Sequence, residues 1–482
     1  MRRLECELNK NKILLYSLIL SLIFSCNNLA NAQDVMVSSG KELKSVIQKA
    51  SEPTNIQFKN NIDISGWNVI PLGSNAIEID GEGKSLINEK DSRFTFVKDS
   101  SLALKNIKYE GKNAAITIYS GANPTILLDN VSISGRTTSS VSDGAVLHLD
   151  NCDATLNNVS ISSSRVNILK KITGGIVNIN AAQSKGIITD LIDNQITSSE
   201  YITGGLIYNR RTLNPDGELN LSGNLNQNEV IATNYISGGI LNNEGSNIHS
   251  INWNDVKQNN INSQKIITGG FIQNKLGTID ELRINSFSDN TITSGSKIDG
   301  GLLYNDNGII NGTLEIGQIT KNIINATTDY NGLITDVAGT INAISIDSIS
   351  GNEFNANYIR GGIINLQGAN ITGDITINTI NDNIVKGGTV TGFVLYLRES
   401  TKDATIPSKI GNINVKQIKD NRIEATNITS LLLRSALVPQ IGKTVISQNG
   451  NITVDEISNN KLIATDCNEN ARGGIIYNFL HS

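Results

Sequence analysis

The chain has 482 residues, of which 38% are hydrophobic and 18% charged, with 43 glycines and only 6 prolines. The formal net charge of −5 argues against nucleic acid as a partner, because a phosphate backbone is bound by a basic surface. The length exceeds what one globular core usually supports, yet no proline-rich or charged linker divides the chain. A solenoid, whose units pack only on their neighbours, escapes that limit.

The first 32 residues have the pattern of a secretory signal peptide. Four basic residues precede an apolar run from Ile13 to Phe24, and Ala30 and Ala32 provide a small-residue cleavage site. The run is shorter than the roughly 20 residues of a membrane-spanning helix, so we expect cleavage after Ala32 and export of residues 33–482. An alternative is a lipid anchor on Cys26, which ends the loose lipobox Ile23-Phe24-Ser25-Cys26.

A short helix is predicted directly after the signal peptide. Ser39 and Glu42 have the spacing of a capping box, and Leu43, Val46 and Ile47 follow at helical spacing. Such an amphipathic helix can cover the open end of a solenoid core.

Beyond the cap, two residue types recur with a common period of about 31 residues, which is the signature of a repeat architecture. One is a glycine before an apolar pair, first seen at Gly144. It recurs at Gly175, Gly205, Gly239, Gly270, Gly301, Gly332, Gly362 and Gly392. The other is an asparagine in the pattern apolar-x-x-Asn-x-apolar. It occupies Asn194, Asn228, Asn259, Asn290, Asn322, Asn352, Asn383, Asn421 and Asn460.

Between these marks, apolar residues alternate with polar ones, as in Ile375, Ile377 and Ile380, so the units consist of short strands. About 31 residues accommodate three strands and three turns. Stacking such coils predicts a single parallel β-helix over residues 33–482, with each strand paired to its equivalent one period later. The recurring asparagines then form a hydrogen-bonded ladder, and the glycines occupy turns that need positive φ or close backbone approach.

A second polar column is predicted four places after the marking glycine. Its members are Asn209, Asn243, Asn274, Asn305, Asp336 and Asn478. Either a ladder or a left-handed turn explains this column.

The repeats resemble the β-helix passengers of bacterial autotransporters and polymorphic outer-membrane proteins, which carry repeated Gly-Gly-Ala-Ile and Phe-x-x-Asn motifs. Here the motifs stand as Gly174-Gly175-Ile176, Gly204-Gly205-Leu206 and Phe287-Ser288-Asp289-Asn290. Alanine follows the glycine only at Ala145. The segment Ile77-Glu78-Ile79-Asp80-Gly81 also looks like the start of pectate-lyase-like β-helices, which share the fold but not necessarily the chemistry.

This resemblance implies a right-handed β-helix and an exported protein that is secreted or displayed at the cell surface or outer membrane, as an adhesin or structural stalk. Its partners would be host glycans or surface proteins. Complete autotransporters continue into further coils and a translocator barrel, so the resemblance implies a passenger that is incomplete at its C-terminus. We therefore expect end-to-end self-association through the unit that opens at Gly473-Gly474-Ile475.

The alternative function is a polysaccharide lyase or glycoside hydrolase of the pectate-lyase-like type. Such enzymes place two or three carboxylates and a basic group on one face of adjacent coils. On the face that follows each marking glycine, the carboxylates are scattered singly, so we expect no enzyme and no catalytic residue. No zinc, calcium or phosphate-binding spacing is present, and no cofactor is expected.

The nearest approach to a catalytic cluster is a group of residues around one histidine. The chain has three histidines, His148, His249 and His481, and none lies in a metal-spaced motif. Within about one coil of His148 lie Arg136, Asp143, Asp150 and Asp153. We expect these to be surface or rim residues.

Overall fold

A computed structural model of the chain describes residues 32–67, 69–90, 92–96, 99–118, 124–180, 183–210, 219–398, 409–437, 448–466, 474 and 476–480. The predicted signal peptide, Cys26, His481, and Gly473 and Ile475 of the unit expected to self-associate lie outside these residues. The fold is a right-handed parallel β-helix that is nearly all β, with one short helix, which confirms the predicted fold class.

The helix runs from Gly40 to Lys49 and begins with a side-chain cap. The Ser39 hydroxyl accepts a hydrogen bond from the Glu42 N–H at 3.3 Å. The Glu42 carboxylate accepts from the Ser38 N–H at 2.7 Å, one residue before the position that a capping box uses. Leu43 and Ile47 are buried against the first coils. The helix therefore covers the core as predicted.

The coils contribute strands to three long sheets, of which sheet 1 begins at Gln33, sheet 3 at Ile116 and sheet 2 at Thr137. Every pairing between coils is parallel among the described residues. Sheet 1 comprises Gln33–Val37, Thr54–Phe58, Ile62–Asp63, Ala76–Asp80, Ser85–Ile87, Ser101–Glu110, Thr125–Ser134, Asp153–Ser162, Gln183–Ile192, Leu219–Asn226, Asn247–Lys257, Thr278–Ser288, Ile309–Thr320, Thr340–Ser350, Asn370–Ile371, Ile375–Asn381, Lys409–Ile410, Ile413–Lys419, Gln448–Asn449 and Ile452–Ser458.

Sheets 2 and 3 complete the coil, and a small two-stranded sheet, Val69–Leu72 with Arg93–Phe96, lies near the N-terminal end. Sheet 2 comprises Thr137–Thr138, Arg165–Ile168, Ile172–Thr173, Gln195–Ser198, Tyr201–Thr203, Glu229–Ala232, Tyr235–Ser237, Asn260–Ser263, Ile266–Thr268, Thr291–Ser294, Lys297–Asp299, Ile323–Ala326, Asp329–Asn331, Glu353–Arg360, Ile384–Thr391, Arg422–Ser430 and Lys461–Ala464. Sheet 3 comprises Ile116–Ile118, Leu147–Asp150, Val177–Asn180, Ile207–Arg210, Leu241–Glu244, Ile272–Lys275, Leu303–Asp306, Ile334–Val337, Ile364–Gln367, Leu395–Arg398, Leu433–Leu437 and Ile476–Leu480.

The core is a set of apolar columns along the axis of the rod. Ile284 pairs in register with Ile316, which pairs with Ile346, and these side chains are at most 2% exposed. Because strand side chains alternate, every second residue enters this core and the others face solvent. The outward residues of neighbouring coils therefore also form columns, about 4.8 Å apart from coil to coil.

Candidate functional site

Sheets 2 and 3 meet at a sharp bend that glycine makes possible. The first glycine has a left-handed backbone in the pairs that begin at Gly174, Gly204, Gly238, Gly269, Gly300 and Gly361, as at Gly204 with φ 60° and Gly300 with φ 66°. A Cβ on Gly204 would lie 2.8 Å from the Cβ of Tyr208, so a larger residue would strain the backbone and meet the next strand. The chain changes direction here as it passes from sheet 2 to sheet 3, so the outer faces of the two sheets lie at an angle to each other.

Six of the predicted marking glycines occupy the second position of the pair, where close packing rather than a left-handed backbone requires glycine. Gly144 instead lies opposite Gly174, the first glycine of its pair, and has φ 51°. At Gly175, Gly205, Gly239, Gly270, Gly301 and Gly362 the left-handed backbone is absent. A Cβ on Gly175 would lie 2.8 Å from the carbonyl oxygen of Gly205, so close approach between coils excludes a side chain. Gly332 has a left-handed backbone, with φ 70°.

The structure corrects the alignment of Gly392. The pairing of Ile364 with Leu395 places Gly392 opposite Gly361, the first glycine of its pair, and its φ is 59°. Phe393 therefore takes the second position. Its ring is fully buried and lies 2.8 Å from where a Cβ on Gly362 would be. The sequence period did not reveal this one-residue shift, because the spacing between equivalent residues varies from coil to coil.

The predicted asparagine column lies at the opposite corner, between sheets 1 and 2. Each side-chain Nδ2 donates to the Oδ1 of the asparagine in the next coil at 2.9–3.1 Å. The column runs through Asn194, Asn228, Asn259, Asn290, Asn322, Asn352, Asn383, Asn421 and Asn460. Backbone N–H groups reach the same oxygens, as from Asn259 to Asn290 at 3.0 Å. This arrangement is a buried ladder with a structural role.

The second polar column forms another buried chain of amides, which ends in a carboxyl group. Asn209, Asn243, Asn274 and Asn305 each donate to the next member, and the last acceptor is Asp336. The side chain of Asn478 lies outside the described residues. Burial raises the pKa of Asp336 to about 8, although hydrogen bonds from Asn305 and the Gly339 N–H oppose the shift. The next coil places Leu366 at this position.

The angle between sheets 2 and 3 contains a polar groove with a cavity of about 560 Å³. Side chains from both sheets line it. They are Lys171, Thr203, Tyr208, Arg210, Tyr235, Ser237, Asn242, Glu244, Thr268, Gln273, Lys275, Asp299, Tyr304 and Asp306. We call this surface the groove.

Two columns of sheet 3 give the groove its repeating character. The floor column is His148, Asn178, Tyr208, Asn242, Gln273 and Tyr304. The rim column is Asp150, Asn180, Arg210, Glu244, Lys275 and Asp306. Strict register puts one polar side chain of each column on every coil, so the groove continues along the rod axis.

Amides on the groove floor are only partly hydrogen-bonded. The Asn242 Nδ2 donates to the Ser237 hydroxyl at 3.1 Å, and that hydroxyl bonds the Gln273 Oε1. The Oδ1 atoms of Asn242 and Asn178 have no hydrogen-bond partner within the part of the chain that the structure describes. Both residues are at most 5% exposed. Buried acceptors of this kind are uncommon, and they mark places where a ligand or water supplies the donor.

Two charged side chains of the rim, Lys275 and Glu244, form an ion pair. Lys275 Nζ lies 3.0 Å from a carboxylate oxygen of Glu244, and the Tyr208 hydroxyl donates to the other oxygen at 2.7 Å. Burial raises the pKa of Glu244, but the bonds from Tyr208 and Lys275, together with nearby cationic charge, leave it below its ordinary value. Burial and the Glu244 carboxylate raise the pKa of Tyr208. Glu244 therefore stays ionised.

The histidine cluster lies on the same face, two coils before Tyr208. His148 is 7% exposed, and its Nδ1 is 3.3 Å from the Asn178 amide nitrogen. Burial lowers the pKa of His148, although Asp150 and Asp143 oppose the shift. His148 is thus a buried floor residue of the groove, which corrects the expected surface position. Its neighbour Asp150 accepts from Asn180 at 3.0 Å.

The other candidates of that cluster lie elsewhere. The Arg136 guanidinium donates to the Ala145 carbonyl at 3.1 Å and to the Asn113 side chain at 2.9 Å, and it is largely buried. Asp153 begins a strand of sheet 1 and is exposed. His249 is also on sheet 1, where it is half exposed and lies 3.4 Å from Asp280.

The groove could not be recognised from the residues after each marking glycine, because these residues belong to sheet 3 alone. There the carboxylates are single, but Asp299 reaches the same groove from sheet 2 and joins Glu244 and Asp306. One signal was present in the sequence. The rim positions alternate in charge from Arg210 to Asp306 at the coil period.

These features define the class as a right-handed parallel β-helix with a polar axial groove. Comparison with protein-family models, with curated proteins and with solved structures found no match to this chain. Among the described residues, no group of three or more His, Cys, Asp or Glu side chains is arranged to hold a metal ion. A search of the same residues found no helix with the length and hydrophobicity to span a membrane.

Proposed function

We propose that this protein is an exported, non-enzymatic β-helix that acts as an adhesin and binds carbohydrate in the groove. The observation that carries the proposal is the groove floor, where amides and tyrosines repeat in register on successive coils. A repeating polar ligand meets the same kind of contact at each coil. Carbohydrate polymers have this property.

The chemistry of the lining supports a sugar ligand. Sugar hydroxyls donate and accept hydrogen bonds, and Asn242, Gln273 and Thr268 offer both kinds of group. Tyrosine rings present an apolar face together with a polar hydroxyl, which suits the faces of a pyranose. Sites that combine aromatic faces with a few fixed polar groups are typical of small-molecule recognition.

Export and surface location are proposed from the sequence. The basic, apolar and small-residue segments before Gln33 have the order of a secretory signal. The Gly-Gly and Asn repeats resemble autotransporter passengers, which supports a role at the cell surface, in the outer membrane or after release. A parallel β-helix gives such a protein a rigid rod that carries the groove.

The proposal is tested by binding of the purified protein to an array of glycans. We expect retention of at least one glycan class, and loss of that binding in Tyr304→Ala, because Tyr304 lines the groove. The matched control is His249→Ala, which removes a ring from exposed sheet 1 and should bind normally. Absence of glycan binding, or equal loss in both variants, would contradict the proposal.

A polysaccharide-cleaving enzyme is the second candidate, because Glu244, Asp299 and Asp306 share the groove. A general acid in glycoside cleavage needs a carboxyl group with a raised pKa. The pKa of Glu244 is lowered instead, by its bonds to Tyr208 and Lys275. This argues against Glu244 as the acid and favours binding without cleavage.

The enzyme candidate is tested by incubating the protein with pectin, polygalacturonate and common glycans. The products to measure are new reducing ends and unsaturated uronides. We expect no turnover. Turnover that is lost in Asp150→Ala or Glu244→Gln, but kept in His249→Ala, would replace the adhesin proposal with an enzyme.

A further inference from the structure

The groove geometry points to a narrower class of ligand than carbohydrate in general. We infer that the groove holds an extended, uncharged, linear glycan that lies parallel to the rod axis, with successive sugars on successive coils. This inference rests on the proposed function, since it names the carbohydrate that the same groove binds.

The coil spacing of the groove matches the repeat of an extended sugar chain. Asn242, Gln273 and Tyr304 are paired in strict register on three consecutive coils, about 4.8 Å apart. In an extended β-1,4-linked chain, each sugar with its linkage advances by about one such coil spacing. Successive sugars of such a chain are rotated about its axis, so each sugar lies beside one coil and equivalent contacts recur at intervals of more than one sugar. A curled α-1,4-linked chain leaves this register after one or two sugars.

The groove floor has hydrogen-bond acceptors that lack a donor. Asn242 lines the cavity, and its Oδ1 has no donor among the described residues, whereas its Nδ2 is already bonded to Ser237. Asn178 has the same unsatisfied oxygen two coils earlier. The floor therefore needs ligand donors at intervals along the axis. The hydroxyl groups of a sugar chain are such donors.

Two accessible tyrosines set the length of the ligand. Tyr235 enters the groove from sheet 2 on the coil of Asn242, and Tyr304 enters from sheet 3 two coils later. Both are only partly buried, whereas Tyr208 is 5% exposed and offers little ring surface. A ligand that contacts both accessible rings must span three coils. A disaccharide is too short, and a chain of four or more sugars is long enough.

The cationic and acidic side chains that line the cavity balance each other in number. Three cationic residues line the cavity together with Glu244, Asp299 and Asp306. Lys275 lies 3.0 Å from Glu244, and Lys297 lies 2.8 Å from Asp299. Because the three cations are matched by three carboxylates, an acidic sugar would gain no net attraction and would lose its hydration, which is an electrostatic cost. This electrostatic cost favours an uncharged chain.

The test is a calorimetric titration of the purified protein with defined oligosaccharides. The extended, uncharged probes are cellohexaose, mannohexaose and xylohexaose, and the comparison probes are the matching disaccharides, maltohexaose and an oligogalacturonate hexamer. We expect at least one extended hexaose to bind about tenfold or more tightly than its disaccharide, maltohexaose and the oligogalacturonate, because only it contacts both tyrosines.

Variants separate ring contact from folding. Tyr304→Ala should abolish the gain in affinity between disaccharide and hexaose, whereas Tyr304→Phe should keep it because the ring remains. His249→Ala should behave as the unmodified protein. Circular dichroism and the melting temperature of Tyr304→Ala should match those of Tyr304→Phe, which excludes misfolding as the cause.

The outcomes distinguish this inference from the proposed function. Equal or tighter binding of maltohexaose or oligogalacturonate would overturn the inference and leave a carbohydrate-binding groove. A hexaose gain that survives in Tyr304→Ala would also overturn it. Failure of every glycan to bind would overturn both proposals.

Discussion

The asparagine ladder and the groove floor are both columns of polar side chains along this rod, and their hydrogen bonding differs. In the ladder between sheets 1 and 2, Asn290 donates to Asn322 at 3.0 Å and to the Val256 carbonyl at 2.8 Å, and its Oδ1 accepts from Asn259. On the groove floor, Asn242 satisfies only its nitrogen. Both side chains are at most 2% exposed.

The comparison shows that residue type and burial do not separate a structural column from a binding surface. In the ladder, each asparagine contacts an asparagine of the next coil. The column can therefore satisfy its hydrogen-bond donors and acceptors internally. The groove floor mixes Asn, Gln and Tyr at successive coils, so neighbouring groups do not match. Its unsatisfied oxygens are the groups that we propose a ligand contacts, and substitutions in the two columns test this difference.

Replacing Asp336 by Asn should give the largest change in stability, in alkaline solution. The pKa of Asp336 is about 8 in the folded protein, against an ordinary value of 3.8, so the folded state binds the proton more tightly. Stability should therefore fall as the pH rises from about 4 to 8, and Asp336→Asn should escape this loss. The gain should reach several kcal/mol above about pH 8, since one pKa unit is about 1.4 kcal/mol.

The measurement is the free energy of unfolding of both proteins between pH 4 and pH 9. The advantage of Asp336→Asn should be absent near pH 4 and should grow up to about pH 8. An advantage that does not change with pH would show that Asp336 is not held protonated.

The ladder is tested by Asn290→Leu. Leucine removes the partners of Asn259, Asn322 and the Val256 carbonyl, and each unpaired buried group costs about 1–3 kcal/mol. We expect a loss of about 3 kcal/mol or more in urea unfolding. The control is Asn285→Leu, an exposed residue of the same coil, which should change stability by less than about 0.5 kcal/mol. Equal losses would contradict a structural ladder.

The close packing at the glycine bends is tested by Gly270→Ala. Its Cβ would meet the carbonyl of Gly301 and lie 3.1 Å from the Ile292 side chain. Crowding of this kind costs about 1–3 kcal/mol. Gly73→Ala is the control, because no atom lies within 4 Å of its Cβ. A similar melting temperature for both variants would mean that the bend does not need its second glycine.

The groove floor should tolerate substitution best. Asn242→Leu removes one bond, to Ser237, and also removes the unsatisfied oxygen, so we expect a loss of at most about 1 kcal/mol. Glycan binding should be lost at the same time. Equal destabilisation by Asn242→Leu and Asn290→Leu would show that the groove floor is also a structural column, with no difference in role from the ladder.

Much of the fold followed from the sequence because a coil repeats its pattern. The period of about 31 residues, the alternation of apolar residues and the capping pattern at Ser39 predicted a parallel β-helix with an N-terminal helix. These features depend on local geometry and on stacking of equivalent positions. A repeat in the sequence therefore becomes a repeat in space.

Only the tertiary structure decided which residues share the groove. Tyr235 and Asp299 belong to sheet 2, whereas Glu244 and Tyr304 belong to sheet 3, and the glycine bend sets the angle that brings these sheets together. The period likewise placed Gly392 one residue from its true partner, because strand register depends on packing around Phe393. The sequence determined the columns, and the path of the backbone between columns determined the site.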